Sequence, residues 1–183
     1  KLLKEKTFSN NCNHNNNNNE PFNNNFFITA SINISKEHFA YDNFIMEYYD
    51  MVKQTNVPRE LIELEITESA SVYKGIDLKQ ITKDMKQKGF TIALDDFGTG
   101  YSSLNMLQDL SIDVLKIDKS FIDRIDESNL VKYIIDMAKD FNIKTVAEGV
   151  ETKEQVDILK NMGCDMAQGY YYAKPLSRDD FVE

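Results

Sequence analysis

The chain has 183 residues, 42% of them hydrophobic, which is enough for one domain with a packed core. Its formal net charge of -9 argues against binding to a nucleic acid polymer, because such binding depends on clustered lysine and arginine. The two cysteines, Cys12 and Cys164, and the two histidines, His14 and His38, are too few for a disulfide scaffold or a zinc centre. Any metal must therefore be held by oxygen ligands, which favours magnesium, manganese or calcium.

No apolar run reaches the roughly 18 residues that a membrane span needs, and the start of the chain has no signal-peptide pattern. We therefore expect a cytoplasmic protein with no membrane contact. Residues 10–25 contain 11 asparagines in 16 positions, and a tract of this composition has almost nothing to bury. We expect residues 1–25 to be a flexible low-complexity segment and residues 26–183 to form the domain.

From residue 26 onward, predicted strands and helices alternate six times at intervals of roughly 25 residues, which is typical of βαβ units around a parallel sheet. The predicted strands lie in 26–35, 61–67, 90–94, 112–117, 143–150 and 165–172. The predicted helices lie in 36–55, 76–89, 104–110, 126–141 and 153–162, and a last one opens at Ser177. The pattern fits an open doubly wound sheet or a barrel, although six units are fewer than the eight of a closed (β/α)8 barrel.

Polar residues interrupt five of these strands at or near their carboxyl ends, where a strand of a parallel sheet should be almost entirely apolar. They are Asn33, Glu65, Asp95, Asp96, Lys116 and Glu148. Sites in parallel α/β folds are built at this edge of the sheet. The sequence therefore predicts that these six side chains converge on one functional site.

The oxygen donors among them suit hard divalent cations. Asp95 can bridge two metals while Asp96 serves the second, and two ions about 3.5–4 Å apart are a known device for in-line displacement at phosphorus. Glu148 can hold the second metal or act as a base, and Lys116 can neutralise charge on the transferred phosphate.

Each of these residues also has an ordinary structural interpretation. The two aspartates can cap the following helix, and Lys116 can be a lysine whose ammonium reaches water past an apolar stem. Residues 170–172, three tyrosines, are typical of packing at the core and rim, although one of them can stack on a base. Glu63 is expected to be structural or solvated.

The combination of motifs resembles the EAL family of cyclic di-GMP phosphodiesterases. The matching segments are "SINIS", "ELEITES", "ALDDFGTGYSSL", "DVLKIDKSFI", "VAEGVET" and "QGYYYAKPL", which together span residues 28–176. The resemblance implies a TIM-like (β/α) barrel, with about six βα units in this chain, that hydrolyses cyclic di-GMP to linear pGpG. It also implies Mg2+ or Mn2+ as cofactor, with two ions bound in the active enzyme.

The resemblance carries over to individual residues. Asn33, Glu65 and Asp95 resemble ligands of a first metal, and Asp96 resembles a ligand of a second. Lys116 and Glu148 resemble the catalytic lysine and a metal-binding acid or base. The remaining matches are Glu151 and Gln168 near the substrate, and Glu68, which anchors the loop after Asp96.

The Glu-Ala-Leu segment that names the family has no match in residues 1–32. We expect a fragment of a longer protein, whose upstream part supplies that strand and any regulatory domains, in preference to a degenerate gene. The alternative functions are a catalytically degenerate module that binds cyclic di-GMP or another protein, and a chain with no independent function. The family resemblance also makes a homodimer a candidate assembly.

Overall fold

A computed structural model describes residues 6–7, 29–41, 43–55, 57–72, 76–98 and 104–175. The predicted helix that opens at Ser177 and the asparagine-rich tract 10–25 lie outside these ranges.

The described residues form seven strands and six α-helices. The strands are β1 (Lys6–Thr7), β2 (Ala30–Ile34), β3 (Ile62–Thr67), β4 (Thr91–Phe97), β5 (Val114–Ile117), β6 (Lys144–Ala147) and β7 (Met166–Ala167). The helices are α1 (Phe44–Thr55), α2 (Leu78–Gln87), α3 (Leu104–Asp109), α4 (Lys119–Ile122), α5 (Leu130–Asp140) and α6 (Lys153–Met162). Short 3-10 turns cover His38–Ala40, Arg59–Leu61 and Glu68–Val72. Among the described residues, no helix has both the length and the hydropathy needed to cross a bilayer.

All seven strands belong to one sheet, in the order β1-β7-β6-β5-β4-β3-β2. The strands from β2 to β7 are parallel to their neighbours, and β1 pairs antiparallel with β7. Six parallel strands separated by helices confirm the predicted α/β class. Because neighbouring strands in the sheet are also neighbours in the chain, the carboxyl ends of β2 to β7 follow one another along a single edge.

Alternate residues of each strand lie on opposite faces of this sheet, and the two faces differ in composition. On the face that packs against the helices, Leu64, Leu94 and Leu115 are almost completely buried. On the other face, small and branched residues such as Ala93 and Val114 form a separate apolar cluster. The polar residues of β3 and β5 follow the same alternation onto this second face, which brings them together.

Helix α6 shows how local sequence fixes these elements. The Thr152 side chain accepts a hydrogen bond from the Gln155 N–H, and the Gln155 side chain accepts one from the Thr152 N–H, which confirms the predicted capping box. Gly163 ends the helix in the left-handed conformation, with φ 77°. The loop between β6 and α6 is therefore held at its helical end.

Several predicted boundaries are wrong, including that of the last predicted strand, 165–172, of which only Met166–Ala167 forms a strand. Strand β4 continues through Asp95 and Asp96 to Phe97, with an irregular register against β5 between Leu94 and Phe97. The predicted helix at 126–141 begins only at Leu130, and the predicted helix at 36–55 is a 3-10 turn followed by α1. A four-residue helix, α4, was not predicted because one turn is too short to show a hydrophobic period.

Candidate functional site

Lys116 is the centre of the predicted site. Its side chain extends from β5 on the sheet face opposite the helices and is 4% exposed. The ammonium nitrogen lies 2.7 Å from Glu65 Oε1, 2.7 Å from Glu148 Oε1 and 3.3 Å from Asp95 Oδ1. One buried cation thus binds three carboxylates that come from three different strands or strand ends.

This arrangement rules out one of the two interpretations of Lys116. Its ammonium does not reach water past an apolar stem, because it is buried among acids. Burial alone lowers the pKa of a lysine, but the charges of Glu148, Asp95 and Glu65 outweigh burial and raise the pKa of Lys116 above its usual range. The side chain therefore stays positively charged at any physiological pH.

The cluster forms the floor of a cavity of about 420 Å3 at the carboxyl ends of the strands. Seven of the predicted site residues line it: Asn33, Glu65, Asp95, Lys116, Glu148, Glu151 and Gln168. Gln168, at the end of β7, donates a 2.7 Å hydrogen bond to Glu148 Oε1. The structure therefore brings the predicted side chains together from β2, β3, β4, β5 and the loops after β6 and β7.

Asp96 is absent from the cavity lining, but it is close to the cluster. Three carboxylate oxygens lie within 4.8 Å of one another, one each from Asp95, Asp96 and Glu148. Asp96 has φ 55°, an uncommon value for a residue with a side chain, and its N–H donates a 3.0 Å hydrogen bond to Asp95 Oδ1. This irregular end of β4 turns two adjacent aspartates toward the same region, which a regular strand would separate onto opposite faces.

Two acids of this group, Asp96 and Glu148, have a raised pKa, chiefly because they are partly removed from water. Burial, and then the charge of Asp95, raise the pKa of Asp96. Burial also raises the pKa of Glu148, although the nearby Lys116 ammonium opposes that shift. A divalent cation among these oxygens would relieve both effects, so the donor set fits a hard cation such as Mg2+, Mn2+ or Ca2+.

Glu68 lies outside the cavity lining and contacts the loop after β4. It is 2% exposed, and its Oε2 accepts a 2.9 Å hydrogen bond from the Gly98 N–H. Gly98 has φ 98°, and a Cβ there would lie 2.4 Å from the Phe121 ring. Glycine is therefore required for this loop to pass between Glu68 and α4.

Two residues of the region escaped the sequence prediction, and two others, Tyr170 and Glu63, were assigned ordinary structural or surface roles. Ser31 and Lys119 line the cavity, and so does Tyr170, whose sequence context predicted packing. Glu63 is 4% exposed and accepts a 2.9 Å hydrogen bond from Ser31 Oγ, so it is structural and not solvated. The two-residue period of β2 and β3 places Ser31 and Glu63 on the same face as Asn33 and Glu65, a signal that could have been used.

Fold and site together define a parallel α/β protein with an acid-rich, lysine-centred cavity at the carboxyl ends of its strands. The chain belongs to the EAL domain family, which it matches over residues 6–175. The match starts within the segment 1–25, so the boundary after residue 25 stays a prediction.

Individual relatives agree with this assignment. The chain is 40% identical over 152 residues to the "Probable cyclic di-GMP phosphodiesterase PdeB" of Escherichia coli, covering 83% of this chain and 29% of that protein. Its structure matches the "PaMucR Phosphodiesterase, c-di-GMP complex" with a TM-score of 0.77 and 30% identity, covering 84% of this chain and 64% of that one. It also matches the manganese and cyclic di-GMP complex of Klebsiella pneumoniae BlrP1, with a TM-score of 0.74, 25% identity and coverage of 80% and 39%.

These likenesses confirm the predicted TIM-like barrel class, since the structural neighbours are EAL domains. The chain spans less than a third of the length of the Escherichia coli relative. The solved complexes also establish that related EAL proteins hold cyclic di-GMP, and that one of them holds it together with manganese.

Proposed function

We propose that this chain carries the reaction centre of a metal-dependent phosphodiesterase that hydrolyses cyclic di-GMP to linear pGpG. The observation that carries the proposal is the buried Lys116 ammonium in contact with Glu65, Asp95 and Glu148 at the floor of one cavity. A cluster of opposite charges on one sheet edge has a large desolvation cost, and as a stabilising device it is no better than apolar packing. Function is the better explanation for its presence.

The oxygen ligands available for two Mg2+ or Mn2+ ions come from Asn33, Glu65, Asp95, Asp96 and Glu148. Bound divalent ions supply a water with a lowered pKa and stabilise negative charge on the phosphate oxygens. The close approach of Asp95, Asp96 and Glu148 supports a shared site for these ions. The manganese complex of the Klebsiella relative supports the choice of metal.

The chain's own residues then position and balance the reacting groups. A water oxygen bonds to phosphorus as the bond from phosphorus to the 3′ oxygen breaks, and a proton from the water ends on that oxygen. Glu148 is the proposed acceptor of the water's proton, and the 2.7 Å hydrogen bond that Gln168 donates to it supports a fixed orientation of its carboxylate. Lys116 holds a permanent positive charge beside the site, where charge builds up on the phosphate oxygens.

The test is hydrolysis of cyclic di-GMP by the purified protein, followed by chromatography of the product. We expect pGpG to form in Mg2+ or Mn2+, little product in Ca2+, and none in excess chelator. Asp95→Asn should reduce turnover by at least about a hundredfold, the scale of losing one charge-stabilising group. Asp109→Asn is the matched control, since Asp109 is an exposed acid in an ion pair with Lys79 and should leave turnover unchanged.

Wild-type turnover that persists in chelator would refute the metal mechanism. Calorimetric binding of cyclic di-GMP without any product would instead show a sensing module, the main alternative for this chain. Size-exclusion chromatography with light scattering, with and without ligand, tests the proposed homodimer in the same samples.

A further inference from the structure

Helix α4 contacts both of the loops that carry the proposed metal ligands. It follows β5, the strand of Lys116, and its four residues are Lys119–Ile122. One of its side chains packs against the loop after Asp95 and Asp96, and another packs against the loop that begins with Glu148. A helix of one turn has little stability of its own, so its contacts with neighbouring elements fix its position.

Phe121 is the contact of α4 on the side of β4. Its ring lies against Gly98, where an added Cβ would be 2.4 Å from the ring carbon Cζ. The Gly98 N–H also donates a 2.9 Å hydrogen bond to Glu68 Oε2. The ring and the carboxylate together fix the backbone two residues after Asp96.

Lys119 is the contact of α4 on the side of β6. Its stem packs against Gly149, where a Cβ would lie 2.5 Å from Lys119 Cγ. Its ammonium lies 3.1 Å from Glu151 Oε1 and 2.6 Å from Asp123 Oδ1. Because Gly149 directly follows Glu148, helix α4 contacts the backbone beside a proposed metal ligand here as well.

Gln155 makes a second connection between α4 and the loop after β6. Its side-chain oxygen accepts hydrogen bonds from the N–H groups of Glu151 and Thr152, at 2.8 and 3.1 Å. Its side-chain nitrogen donates a 3.2 Å hydrogen bond to the carbonyl oxygen of Ile122, at the end of α4. One planar amide therefore joins the backbone of the loop to the backbone of the helix.

This use of the Gln155 amide goes beyond a helix cap. Gln80 holds the same position in α2, where its N–H donates a 3.1 Å hydrogen bond to Asp77 Oδ1. The Gln80 side chain, however, donates to Asp84 of its own helix, at 2.7 Å. A contact with a second helix is therefore not part of capping, and the bond from Gln155 to α4 needs another explanation.

We propose that helix α4 holds the loops after β4 and β6 in one fixed relation, and that Phe121 and Gln155 are positioning residues for the metal ligands of these loops. The inference rests on the proposed function, because it concerns the ions that this function requires. Groups that orient metal ligands typically change metal affinity by roughly tenfold to a hundredfold. Since one helix contacts both loops, a change on either side should weaken the same metal site.

The test is the affinity of the purified, folded protein for Mn2+, measured by calorimetry without substrate. Gln155→Met keeps the length of the side chain and removes its hydrogen bonds, so the dissociation constant should rise roughly tenfold. Gln155→Glu keeps the acceptor for the cap but loses the donor to α4, and it should also bind Mn2+ more weakly. An added negative charge would by itself tighten binding, so it does not account for that result. Gln80→Met is the matched control and should keep the wild-type affinity.

Phe121→Leu tests the other side of α4. It keeps an apolar side chain against the core but removes the ring from Gly98, so the dissociation constant for Mn2+ should again rise roughly tenfold. In the double variant with Gln155→Met, the loss should be at least about threefold smaller than the product of the two single losses, because residues that act through one element are not independent. Phe141→Leu, at an exposed ring after α5, is the control.

The outcomes separate this inference from the proposed function. Wild-type protein that binds no Mn2+ overturns both, whereas wild-type protein that binds Mn2+ but forms no pGpG overturns the proposed function alone. Wild-type hydrolysis with unchanged Mn2+ affinity in Gln155→Met and Phe121→Leu overturns the positioning roles alone. Weaker binding in Gln155→Met with wild-type affinity in Gln155→Glu assigns the loss to the helix cap and overturns the role of Gln155. Single losses that multiply in the double variant overturn the coupling through α4.

Discussion

The two ends of the parallel sheet use the same residue types in opposite ways. At the amino ends of the strands, each of two aspartates accepts hydrogen bonds from the backbone of a neighbouring strand. Asp113 Oδ2 accepts a 2.9 Å bond from the Ile92 N–H, and Asp165 Oδ2 accepts a 2.8 Å bond from the Thr145 N–H. At the carboxyl ends, acids contact Lys116 and one another.

The difference lies in what the charges are paired with. Both ends have a groove, and the one at the amino ends, about 510 Å3, is also lined by charged groups, including Lys139 and Lys144. There, the carboxylates complete backbone hydrogen bonding and so stabilise the fold. At the carboxyl ends, burial is the main cause of the raised pKa values of Asp96 and Glu148, and the acids there contact a buried cation, an arrangement that a ligand or metal can improve. Charge at the amino ends supports the fold, and charge at the carboxyl ends fits the proposed binding of metal and substrate.

The largest expected effect is that of replacing Lys116. Lys116→Met removes the cation from one buried and two partly buried carboxylates, so we expect the free energy of unfolding to fall by about 3–5 kcal/mol in metal-free buffer. Turnover should fall by about a hundredfold to a thousandfold. Urea denaturation at neutral pH measures the first effect, and product formation measures the second.

Lys144→Met provides the control from the opposite end of the sheet. Lys144 is exposed at the start of β6, so its replacement should change the free energy of unfolding by less than about 0.5 kcal/mol. If Lys116→Met were as stable as Lys144→Met, the carboxyl-end cluster would not depend on its cation. Addition of Mg2+ or Mn2+ should recover part of the stability lost in Lys116→Met, because the ions bind the folded state.

The next largest effect on stability is expected at the amino ends of the strands. Asp165 accepts hydrogen bonds from both the Thr145 N–H and the Thr145 hydroxyl, at 2.8 and 2.9 Å. Asp165→Ala leaves these donors without that acceptor, and we expect a loss of about 1–3 kcal/mol in urea denaturation. The kcat and KM for cyclic di-GMP should not change. A large fall in kcat at retained stability would contradict the division between the two ends.

The carboxyl-end residues were predictable because the sheet is parallel. Once βαβ units are recognised, the strand ends must meet along one edge, and any polar residue found there belongs to one site. Asn33, Glu65, Lys116 and Glu148 were found in this way, and all of them line the cavity.

Two other features, strand β1 and the backbone conformation of Asp96, had no signal in the sequence pattern. Strand β1 has two residues, which is too few for a period, and its antiparallel pairing with β7 depends on distant parts of the chain. The positive φ of Asp96 follows from the irregular pairing of β4, and no residue type in the sequence indicates that irregularity.

Helix α4, in contrast, did have a sequence signal, because Asp118 caps it. With that signal, Lys119 could have been placed near the site.

A smaller effect is expected at the start of α6, where a side chain at the carboxyl end of the sheet also accepts a backbone hydrogen bond. Thr152→Ala removes the hydroxyl that accepts from the Gln155 N–H, and should cost about 1 kcal/mol in urea denaturation. Thr152→Ser keeps the hydroxyl and should restore most of the loss. Equal stability of the alanine and serine variants would show that the capping box does not stabilise this helix.

The smallest expected effect is the pH dependence of stability that Glu148 contributes at the carboxyl end, and it is small because the Lys116 ammonium opposes the shift in the pKa of Glu148. Burial raises the folded-state pKa of Glu148, so in the window between its ordinary pKa and the raised one the folded protein binds more protons than the unfolded chain. Glu148 therefore contributes most to stability at a pH below its ordinary pKa, which is about 4. This contribution is lost as the pH rises through the raised pKa. Urea denaturation midpoints in chelator, compared between the wild type and Glu148→Gln, should show a decline toward neutral pH that the variant reduces. Glu127→Gln, at an exposed acid, should keep the wild-type slope, and an identical slope in Glu148→Gln would mean that crowding at the cavity floor does not shift this carboxyl group.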